Sequence, residues 1–478
     1  MKKQLAVLLA VSCLIGCNAN TAKKQSTSAT ETTYETTADV IVVGAGAAGM
    51  TAAITAAENG TKVILLEKSN KVGGNTFCAV NGINAADAKV QLDNTEYQAN
   101  GTKQGLKELQ MNNADAKEEL VDAFVNHSGE VIDWISGLGV QFEVDIQHDQ
   151  RNQTTNYYML KAAGDEPTSI TMLSTLSKQL EKTSNLTLYK NMDVYDILTK
   201  DGKVDGVVAK DKDGKEVEYH ASKVVLATGG FGQNRELVGK VNPRLANAIT
   251  DEIAPTTGEG LLMAQKLGAA TVNLDAIQTF PHVIAGYGLV TPMNLPGGFV
   301  PDAIYVNSSA KRFTAEKFEA VDDVLAQKDG VVYCIFTEKN LNDTLRSIVQ
   351  AGFIKEGDTV EELAENLGLD KDALKETVNA FNLDIADGKD DEFGRDKNLN
   401  PIEGKLYGYQ FGVGSHYFMG GILINANTEV LKEDGTAIGG LYAAGEVTGG
   451  FHGTFRVDGS GLGDSFTFGR IAGIEVSK

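Results

Sequence analysis

The sequence predicts an α/β fold in which a Rossmann-like domain, built on a parallel sheet, carries an inserted α+β capping domain. The first observation is residues 39–50, DVIVVGAGAAGM, where an apolar strand, a glycine turn and an alanine-rich helix follow one another. The second is another apolar strand at 62–67, KVILLE, which ends in an acid. The third is a change of composition and pattern between residues 275 and 416, where loops rich in glycine and proline precede helical patterns.

The N-terminus predicts export followed by lipid anchoring. Residues 1–17 combine a basic start, an apolar stretch too short to span a bilayer and the sequence LIGC, which resembles a bacterial lipobox. We therefore expect a lipoprotein signal peptide, lipid attachment to Cys17 on the extracellular side of the cell membrane, and membrane contact through this anchor only. Plain secretion with an incidental cysteine is the alternative. Residues 18–37, rich in Ser, Thr and Lys, predict a flexible tether.

The glycine segment predicts a dinucleotide site. Gly44 permits a tight turn, Gly46 lets the backbone approach a pyrophosphate, and Gly49 lets the helix pack against the strand. Glu67, at the end of the second strand, stands where a carboxylate bonds the adenosine ribose. An ordinary strand, turn and helix without a ligand is the alternative, and the surrounding pattern disfavours it.

The next elements build a scaffold around this site. Apolar residues at helical spacing in 112–138, around Trp134, predict a packing helix. An apolar strand at 223–226, followed by glycines, predicts a return to the parallel sheet. Alternating patterns predict small antiparallel strands, with turns at Asp201-Gly202 and Asp213-Gly214. These strands are 186–189, 206–209 and 217–219.

Residues 275–416 are predicted to form the capping domain, with helices near 359–366 and 372–387. The tail from 440 to 470 returns to a strand, a glycine loop and a helix, and so completes the first domain. The nucleotide-binding domain is therefore predicted to comprise residues 38–274 and 417–478.

Composition and charge exclude several partners and cofactors. A formal net charge of −21 argues against binding to nucleic acid. The mature chain would keep Cys17, Cys78 and Cys334, and because Cys17 would be acylated we expect no structural disulfide. No C-x-x-C pair is present, so we expect no metal site, iron–sulfur cluster or covalent haem. Redox chemistry would then depend on the dinucleotide.

Further motifs carry a family resemblance. They are GGNT at 73–76, ATGGF at 227–231, TGEG at 257–260, HYFMGG at 416–421, and GEVTGG at 445–450 leading to Arg456. Together with the glycine turn they resemble the flavoprotein of the fumarate reductase, urocanate reductase and flavocytochrome c group, within the succinate dehydrogenase flavoprotein superfamily. The resemblance implies FAD, a capping domain and an active site between the two domains. Residues 73–79 lack the histidine of the covalent branch, so it implies non-covalent FAD.

The resemblance also implies roles for individual cofactor residues. Asn75 and Thr76 would approach the flavin ring, and Glu446 would bond ribityl or ribose hydroxyls. Glu259 stands where the family usually has aspartate. The full set assigned to the cofactor is Gly44, Gly46, Ala47, Ala48, Gly49, Glu67, Lys68, Gly74, Asn75, Thr76, Gly82, Thr228, Gly229, Glu259, Glu446, Gly461 and Leu462.

For the substrate, Arg456 and His416 match the carboxylate clamp of the family, and Gln278 matches a residue near the start of the capping domain. A guanidinium suits a planar carboxylate because it donates two parallel hydrogen bonds. An imidazole adds a donor as negative charge spreads during reduction of a C=C bond. The implied reaction is transfer of hydride from flavin N5 to the C=C bond of an α,β-unsaturated carboxylate.

Three departures from the family pattern limit the substrate. Phe280 replaces a histidine, residues 317–327 lack the arginine that delivers a proton, and residues 290–294 lack the relay glutamate. An unpaired second carboxylate in a dry crevice would cost several kcal/mol. We therefore expect a monocarboxylate of the acrylate, cinnamate or urocanate type rather than fumarate. Lys317 is the first candidate for proton donor, with His282, Tyr287 and water as alternatives.

The sequence thus predicts an exported, membrane-anchored FAD-dependent reductase that takes electrons from an unidentified membrane donor, in a form of anaerobic respiration. One alternative is an FAD-dependent dehydrogenase or oxidase that works in the desaturating direction. Another is a non-catalytic flavoprotein that passes electrons to a partner. In the tether, residues 26–32 resemble a flavinylation signal, with Ser28 in the glycine position. They raise the further hypothesis of covalent FMN on Thr30, as an electron relay.

Overall fold

A computed structural model describes residues 33–79, 81–148, 156–285, 300, 302–316 and 320–478. The predictions for the leader, Cys17, Thr30, Lys317 and Tyr287 lie outside these residues. Within them, no helix combines the length and the apolar character needed to cross a membrane.

The helices of the described chain surround several sheets. They are α1 (Ala47–Glu58), α2 (Lys89–Leu92), α3 (Thr95–Asn100), α4 (Lys103–Met111), α5 (Glu118–Gly137), α6 (Thr168–Lys182), α7 (Arg235–Val241), α8 (Glu259–Lys266), α9 (Val321–Leu325), α10 (Asp343–Gln350), α11 (Val360–Leu367), α12 (Lys371–Asp384) and α13 (Ser460–Val476).

The strands are β1 (Val40–Val43), β2 (Val63–Glu67), β3 (Ile83–Asn84), β4 (Phe142–His148), β5 (Asn156–Ala162), β6 (Leu186–Lys190), β7 (Asp193–Lys200), β8 (Lys203–Lys210), β9 (Glu216–His220), β10 (Lys223–Leu226), β11 (Ile249–Thr250), β12 (Thr271–Val272), β13 (Ile277–Ile284), β14 (Ile304–Val306), β15 (Val331–Thr337), β16 (Lys355–Gly357), β17 (Leu406–Phe418), β18 (Gly421–Leu423), β19 (Glu429–Leu431), β20 (Ala437–Ala443) and β21 (Thr448–Gly449).

The central sheet is buried and mainly parallel. Its strand order is β19-β20-β10-β1-β2-β6, and β1 pairs in parallel with both β10 and β2. Every residue of β1 and β2 is buried. Continuous apolar strands of this kind are typical of a parallel sheet that is covered on both faces. The carboxyl ends of β1, β2, β10 and β20 therefore meet at one edge, where ligands bind in open α/β sheets.

Helices α1 and α13 pack closely through glycine. A Cβ atom added to Gly469 would lie 2.5 Å from the carbonyl oxygen of Ala48. One added to Gly473 would lie 2.6 Å from the carbonyl oxygen of Ala52. The absence of side chains at these positions lets the two backbones approach. This contact joins the first and the last segments of the predicted nucleotide-binding domain.

A second sheet is organised by the long strand β17. This strand pairs in parallel with β11 and antiparallel with β13, β15 and β16, and β14 extends the sheet from β15. Tyr409, Phe411 and Phe418 of β17 are buried in the core. The strand continues past residue 416, where the capping domain is predicted to end, so that it reaches both predicted domains. The domain limits themselves stay predictions.

The strand predictions have a mixed outcome. Asp201 and Gly202, with φ values of 51° and 76°, turn the chain between the antiparallel strands β7 and β8, as predicted. The prediction for residues 186–189 is wrong, because they belong to β6, which pairs in parallel with β2 at the edge of the central sheet. Alternation of polar and apolar residues shows that one face of a strand is buried, but it does not reveal the direction of the neighbouring strand.

The helix predictions agree with the structure within a few residues. Helix α5 lies inside the predicted segment 112–138 and carries Trp134. Helices α11 and α12 match the two helical patterns of the predicted capping domain, and a short 3₁₀ turn at Ile385–Asp387 extends the second. Amphipathic spacing over two or more turns is the sequence signal that identified them.

Candidate active site

The glycine turn after β1 has no room for a side chain at Gly44 or Gly49. Gly44 has φ of +100°, and a Cβ atom added there would lie 2.3 Å from the carbonyl oxygen of Ala227. A Cβ atom added to Gly49 would lie 1.8 Å from the carbonyl oxygen of Gly44. Gly46 has open space instead, since its added Cβ would have no neighbour closer than 3.8 Å. The turn therefore packs tightly against β10 and leaves bare backbone at the start of α1.

Glu67 ends β2 beside this turn. Its Oε2 accepts a hydrogen bond from the backbone N–H of Ala45 at 2.8 Å, and its Oε1 accepts one from that of Ser69 at 2.7 Å. Burial raises the pKa of this carboxyl group. Each carboxylate oxygen has a further lone pair, so Glu67 can also accept hydrogen bonds from ribose hydroxyls.

A crevice opens at the carboxyl edge of the central sheet, where β1, β2 and β10 end beside α1. Most of the residues that the resemblance assigns to the cofactor line it. They are Gly44, Gly46, Ala47, Ala48, Glu67, Lys68, Gly74, Asn75, Thr76, Thr228, Gly229, Glu259 and Glu446.

The remaining predicted cofactor residues are not in the lining of this crevice. Gly49 lies beneath the turn, and Gly82 packs against the carbonyl oxygen of Leu160, 2.3 Å from its added Cβ. Gly461 and Leu462 lie in the first turn of α13, directly after Ser460. The first backbone hydrogen bond of this turn runs from the N–H of Gly463 to the carbonyl oxygen of Gly459. The first N–H groups of a helix have no partner within the helix, so those of Gly461 and Leu462 are available as donors.

The crevice fits the FAD that the resemblance implies. The bare start of α1 offers backbone N–H groups and a positive dipole end to phosphates. Glu67 offers acceptors to a ribose. The hydroxyl of Thr228, in the wall of the crevice, is buried without a hydrogen-bond partner in the described chain. Buried hydroxyls are usually satisfied, so this group favours a polar ligand beside it.

Two buried carboxyl groups, Glu446 and Glu252, contact each other at the crevice wall. Glu446 lines the crevice and accepts hydrogen bonds from the backbone N–H of Phe418 at 3.1 Å and from Nδ2 of Asn75 at 3.3 Å. Glu252 accepts a bond from the N–H of Gly232 at 2.8 Å. Burial first, and then the charge of Glu446, raise the pKa of Glu252 well above its usual value. Glu252 therefore favours its neutral, protonated form beside Glu446.

Glu252 was not among the residues predicted from the sequence. It follows the short strand β11 and lies outside the quoted motifs, between ATGGF at 227–231 and TGEG at 257–260. The adjacent acids Asp251 and Glu252, in an otherwise apolar segment, are the only local signal. Their burial becomes visible only once β11 is paired with β17.

Arg456 is a partly buried guanidinium without an acidic partner. Its Nε donates a hydrogen bond to Oε1 of Gln278 at 2.8 Å. Its guanidinium carbon lies 4.9 Å from the centre of the Tyr417 ring. Among the described residues, no carboxylate forms an ion pair with it. The two terminal nitrogens can therefore donate to an anion, as a carboxylate clamp requires.

His416 lies on β17 and is held by Asp251. Its Nδ1 is 2.8 Å from Oδ2 of Asp251, whose side chain is only 1% exposed, whereas the imidazole is 17% exposed. The ring of Phe280 lies against the imidazole, with ring centres 4.2 Å apart. Because β13 pairs with β17, Gln278 and Phe280 come to the same place as His416. The structure thus brings together Arg456, His416, Gln278 and Phe280.

A buried polar group supports the clamp from behind. The hydroxyl of Tyr417 donates to Oδ2 of Asp464 at 3.1 Å and lies 3.1 Å from Nε2 of His452. Burial lowers the pKa of His452. The Tyr417 ring, fixed in this way, presents its face to Arg456. The sequence analysis identified neither His452 nor Asp464.

His282, an alternative proton donor in the sequence analysis, is not placed for that task. Its Nε2 is 2.8 Å from the hydroxyl of Tyr409 and its Nδ1 is 3.2 Å from that of Tyr305. Its ring stacks on Phe411 with a centre distance of 3.8 Å. Burial lowers its pKa to about 3. A fully packed, neutral imidazole of this kind is a core residue.

Comparison with known proteins agrees with this site. Residues 39–462 match the family described as FAD binding domain. The chain is 32% identical over 455 residues to fumarate reductase (cytochrome) of Shewanella frigidimarina, covering 92% of this chain and 77% of that protein. It is 32% identical over 471 residues to urocanate reductase of Eggerthella lenta, covering 92% of this chain and 75% of that protein. The open conformation of a flavocytochrome c3 fumarate reductase superposes with a TM-score of 0.80 and 30% identity, over 92% of this chain and 78% of that one.

Proposed function

We propose, from the premise that this chain belongs to the fumarate-reductase-like family of FAD-binding oxidoreductases, that it reduces the C=C bond of an α,β-unsaturated monocarboxylate. The family, the α/β fold and FAD as the cofactor are each predicted from the sequence and confirmed by the comparisons. The preference for a monocarboxylate, the membrane anchoring and the electron donor are proposals.

The free guanidinium of Arg456 carries the proposal. A partly buried cation without a carboxylate partner in the described chain is costly unless a ligand supplies the anion. Gln278 fixes Nε, so the two terminal nitrogens remain for one carboxylate. The relative from Shewanella frigidimarina is named for fumarate and that from Eggerthella lenta for urocanate, and both compounds are unsaturated carboxylates.

The surroundings of the clamp favour one carboxylate over two. Phe280 places an aromatic ring against His416, where the family pattern has a histidine. A second carboxylate near this ring would lose its hydration without gaining a donor, at a cost of several kcal/mol. An aromatic or heteroaromatic far end would instead bury apolar surface. Cinnamate and urocanate meet this description.

The cofactor and the residues around the clamp have different roles in the proposed reaction. FAD, once bound and reduced by the electron donor, would supply the hydride for the carbon that lies β to the carboxylate. Arg456 binds and orients the carboxylate, and its charge stabilises the negative charge that develops there. Gln278 and Tyr417 keep the guanidinium in place. Phe280 excludes water from one side of the clamp.

The proposal includes a location and a supply of electrons. The leader pattern of residues 1–17 supports export and lipid attachment at Cys17, which would hold the enzyme at the outer face of the cell membrane. A membrane-bound donor would then reduce it. Covalent FMN at Thr30 stays a prediction. Lipid labelling of Cys17 and mass analysis of the tether would test these points.

Rapid mixing of the chemically reduced holoenzyme with a panel of acids tests the function. The panel contains acrylate, cinnamate, urocanate and fumarate, and flavin absorbance reports oxidation under anaerobic conditions. We expect oxidation by cinnamate or urocanate to be faster than by fumarate. Faster oxidation by fumarate would contradict the proposed preference for a monocarboxylate. Bleaching of the oxidised enzyme by a saturated acid would favour the desaturating direction, and tight binding without oxidation would favour a non-catalytic flavoprotein.

A further inference from the structure

We propose that His416, held by the buried carboxylate of Asp251, is the general acid that protonates the substrate. This inference rests on the proposed function and names the proton donor of the same site. Asp251 is a positioning residue, because it acts through the imidazole and its own side chain is only 1% exposed.

The pairing of strands brings the two residues together. Strand β11 runs parallel to β17, with Thr250 opposite Ser415. Asp251 directly follows β11 and His416 follows Ser415 within β17, so the register that places the strands also places the dyad. The hydroxyl of Thr250 and the backbone carbonyl of Ser415 reinforce this register with a hydrogen bond of 2.9 Å. The pairing of β11 with β17 therefore positions the dyad.

The geometry leaves one imidazole nitrogen for a substrate. Nδ1 faces Asp251 at 2.8 Å, so Nδ1–H donates to the carboxylate and Nε2 is the other functional atom. The imidazole keeps 17% of its surface exposed, whereas the Asp251 side chain keeps 1%. The imidazole can thus exchange protons with solvent between turnovers, and the carboxylate cannot.

Negative charges lie on more than one side of the imidazole in the complex. Asp251 contributes a buried negative charge at Nδ1, and Glu446 interacts with the imidazole from the segment after β20. Burial and the charge of Glu446 raise the pKa of the neighbouring Glu252. The substrate carboxylate, bound by Arg456, would add a negative charge near Nε2. An imidazolium between two carboxylates is the arrangement that a proton donor needs.

The described neighbours of the dyad are poor acids. Cys78 interacts with Asp251, but burial first, and then the charges of Asp251 and Glu252, raise the pKa of its thiol to about 11. Phe280 and Gln278 approach from β13, and neither titrates. Tyr417 is the neighbour on β17, but its hydroxyl is engaged with Asp464 and burial raises its pKa well above the usual value. His282 is enclosed by aromatic side chains.

The reduction adds a hydride to one carbon of the C=C bond and a proton to the other. Hydride adds to the carbon β to the carboxylate, and the π electron pair of the C=C bond moves to the α-carbon. A new C–H bond forms at the α-carbon with the proton from Nε2, and the N–H electron pair stays on Nε2. The product is the saturated acid, and the imidazole is neutral, with Nδ1–H still donating to Asp251. Solvent then restores the proton.

Reduced holoenzyme, mixed with cinnamate or urocanate across a range of pH, tests the dyad. The variants are Asp251→Asn, Asp251→Glu and Lys317→Met. Asp205→Asn is a matched control, since Asp205 contacts the half-exposed His220 at 3.8 Å and does not line the crevice. Substrate binding is followed separately, through the change it causes in the spectrum of the oxidised flavin.

We expect Asp251→Asn to slow oxidation by about ten- to a hundred-fold at neutral pH, within the usual contribution of general acid catalysis. The pH at which the rate falls should move at least one unit lower than in the wild type, because the imidazolium loses its buried counter-charge. Substrate affinity should change less than the rate. Asp251→Glu should retain the wild-type pH profile, and the control should match the wild type.

If Asp251 has only a structural role, Asp251→Asn will slow flavin oxidation equally at every pH. The midpoint of its pH profile will then equal that of the wild type, and this result would overturn the inference. So would an unchanged profile in Asp251→Asn, or loss of the pH-dependent step in Lys317→Met. If the Asn variant does not fold, slower oxidation of the wild type in D₂O and the profile of Asp251→Glu decide the question. Wild-type enzyme that no acid in the panel oxidises would refute both proposals, whereas normal oxidation with an unchanged profile refutes only this one.

Discussion

At the scale of one residue, Arg456 is the group proposed to bind the carboxylate of the substrate. The guanidinium is fixed by Gln278 and by the ring of Tyr417, and its terminal nitrogens are left for a carboxylate. Arg456→Lys would keep the charge but lose the parallel pair of donors. We expect a loss of about 2 kcal/mol in transition-state binding, roughly thirty-fold in kcat/KM, by steady-state kinetics. Arg244→Lys, at an exposed ion pair with Asp322, is the control, and equal losses in both variants would contradict the clamp.

Phe280 is the residue proposed to disfavour a second carboxylate on the substrate. Its ring lies 4.2 Å from that of His416, so it occupies space that a polar donor would need to reach a second carboxylate. Phe280→His should raise the rate with fumarate relative to cinnamate, by roughly ten-fold if one hydrogen bond to a charged group is gained. The two substrates are compared by flavin oxidation in the same preparation. An unchanged ratio would show that another residue sets the preference.

Glu252 makes the stability of the protein depend on pH. Its pKa is raised in the folded state by burial and by Glu446, so the folded protein binds a proton that the unfolded chain releases above its ordinary carboxyl pKa. This stabilising contribution is complete at acidic pH and is lost as pH rises through the folded pKa. Glu252→Gln removes the titration and should unfold at a higher temperature than the wild type at alkaline pH. Thermal unfolding of both apoproteins at several pH values is the measurement. If the melting temperatures of the two proteins change with pH in the same way, the raised pKa of Glu252 is contradicted.

At the scale of elements, the start of α1 depends on close packing. A Cβ atom at Gly49 would lie 1.8 Å from the carbonyl oxygen of Gly44, so Gly49→Ala must displace either the turn or the helix. We expect FAD affinity to fall at least ten-fold, measured by fluorescence titration of the apoprotein. Gly137→Ala, at the end of α5 with no atom within 4 Å of its added Cβ, is the matched control. Normal yellow protein from Gly49→Ala would contradict the role given to the turn.

Strand β17 is the element that assembles the substrate side of the site. It supplies His416 and Tyr417 directly, aligns Asp251 through β11, and aligns Gln278 and Phe280 through β13. None of these contacts is local in sequence. A single strand with partners on both sides can therefore collect catalytic groups from segments more than a hundred residues apart.

At the scale of the whole molecule, the FAD crevice is made by distant parts of the chain. Gly46, Thr228 and Glu446 all line it, so a bound cofactor would join β1, β10 and the segment after β20. Ligands that bind only the folded state stabilise it, by about 2.7 kcal/mol at a concentration one hundred times Kd. We expect the melting temperature to rise with added FAD. A melting temperature that does not respond would mean that the crevice does not bind FAD in the folded protein.

The nucleotide-binding half was predictable from the sequence because its signals are local. The strand, turn and helix of residues 39–50 and the acid at Glu67 are contiguous, and each residue acts through its own backbone or through its position at a strand end. Most of the assigned cofactor residues line the crevice for this reason. The direction of β6 was not predictable, since alternation carries no information about the partner strand.

The residues themselves thus specified a dinucleotide cradle, the family and the absence of the family's proton-delivering arginine. Folding alone decided that Glu252 meets Glu446, that Asp251 meets His416, and that His282 is buried among aromatic rings. The physical reason is that backbone geometry follows from short patterns, whereas the ionisation and partners of a side chain depend on which groups long-range strand pairing brings into its dielectric surroundings.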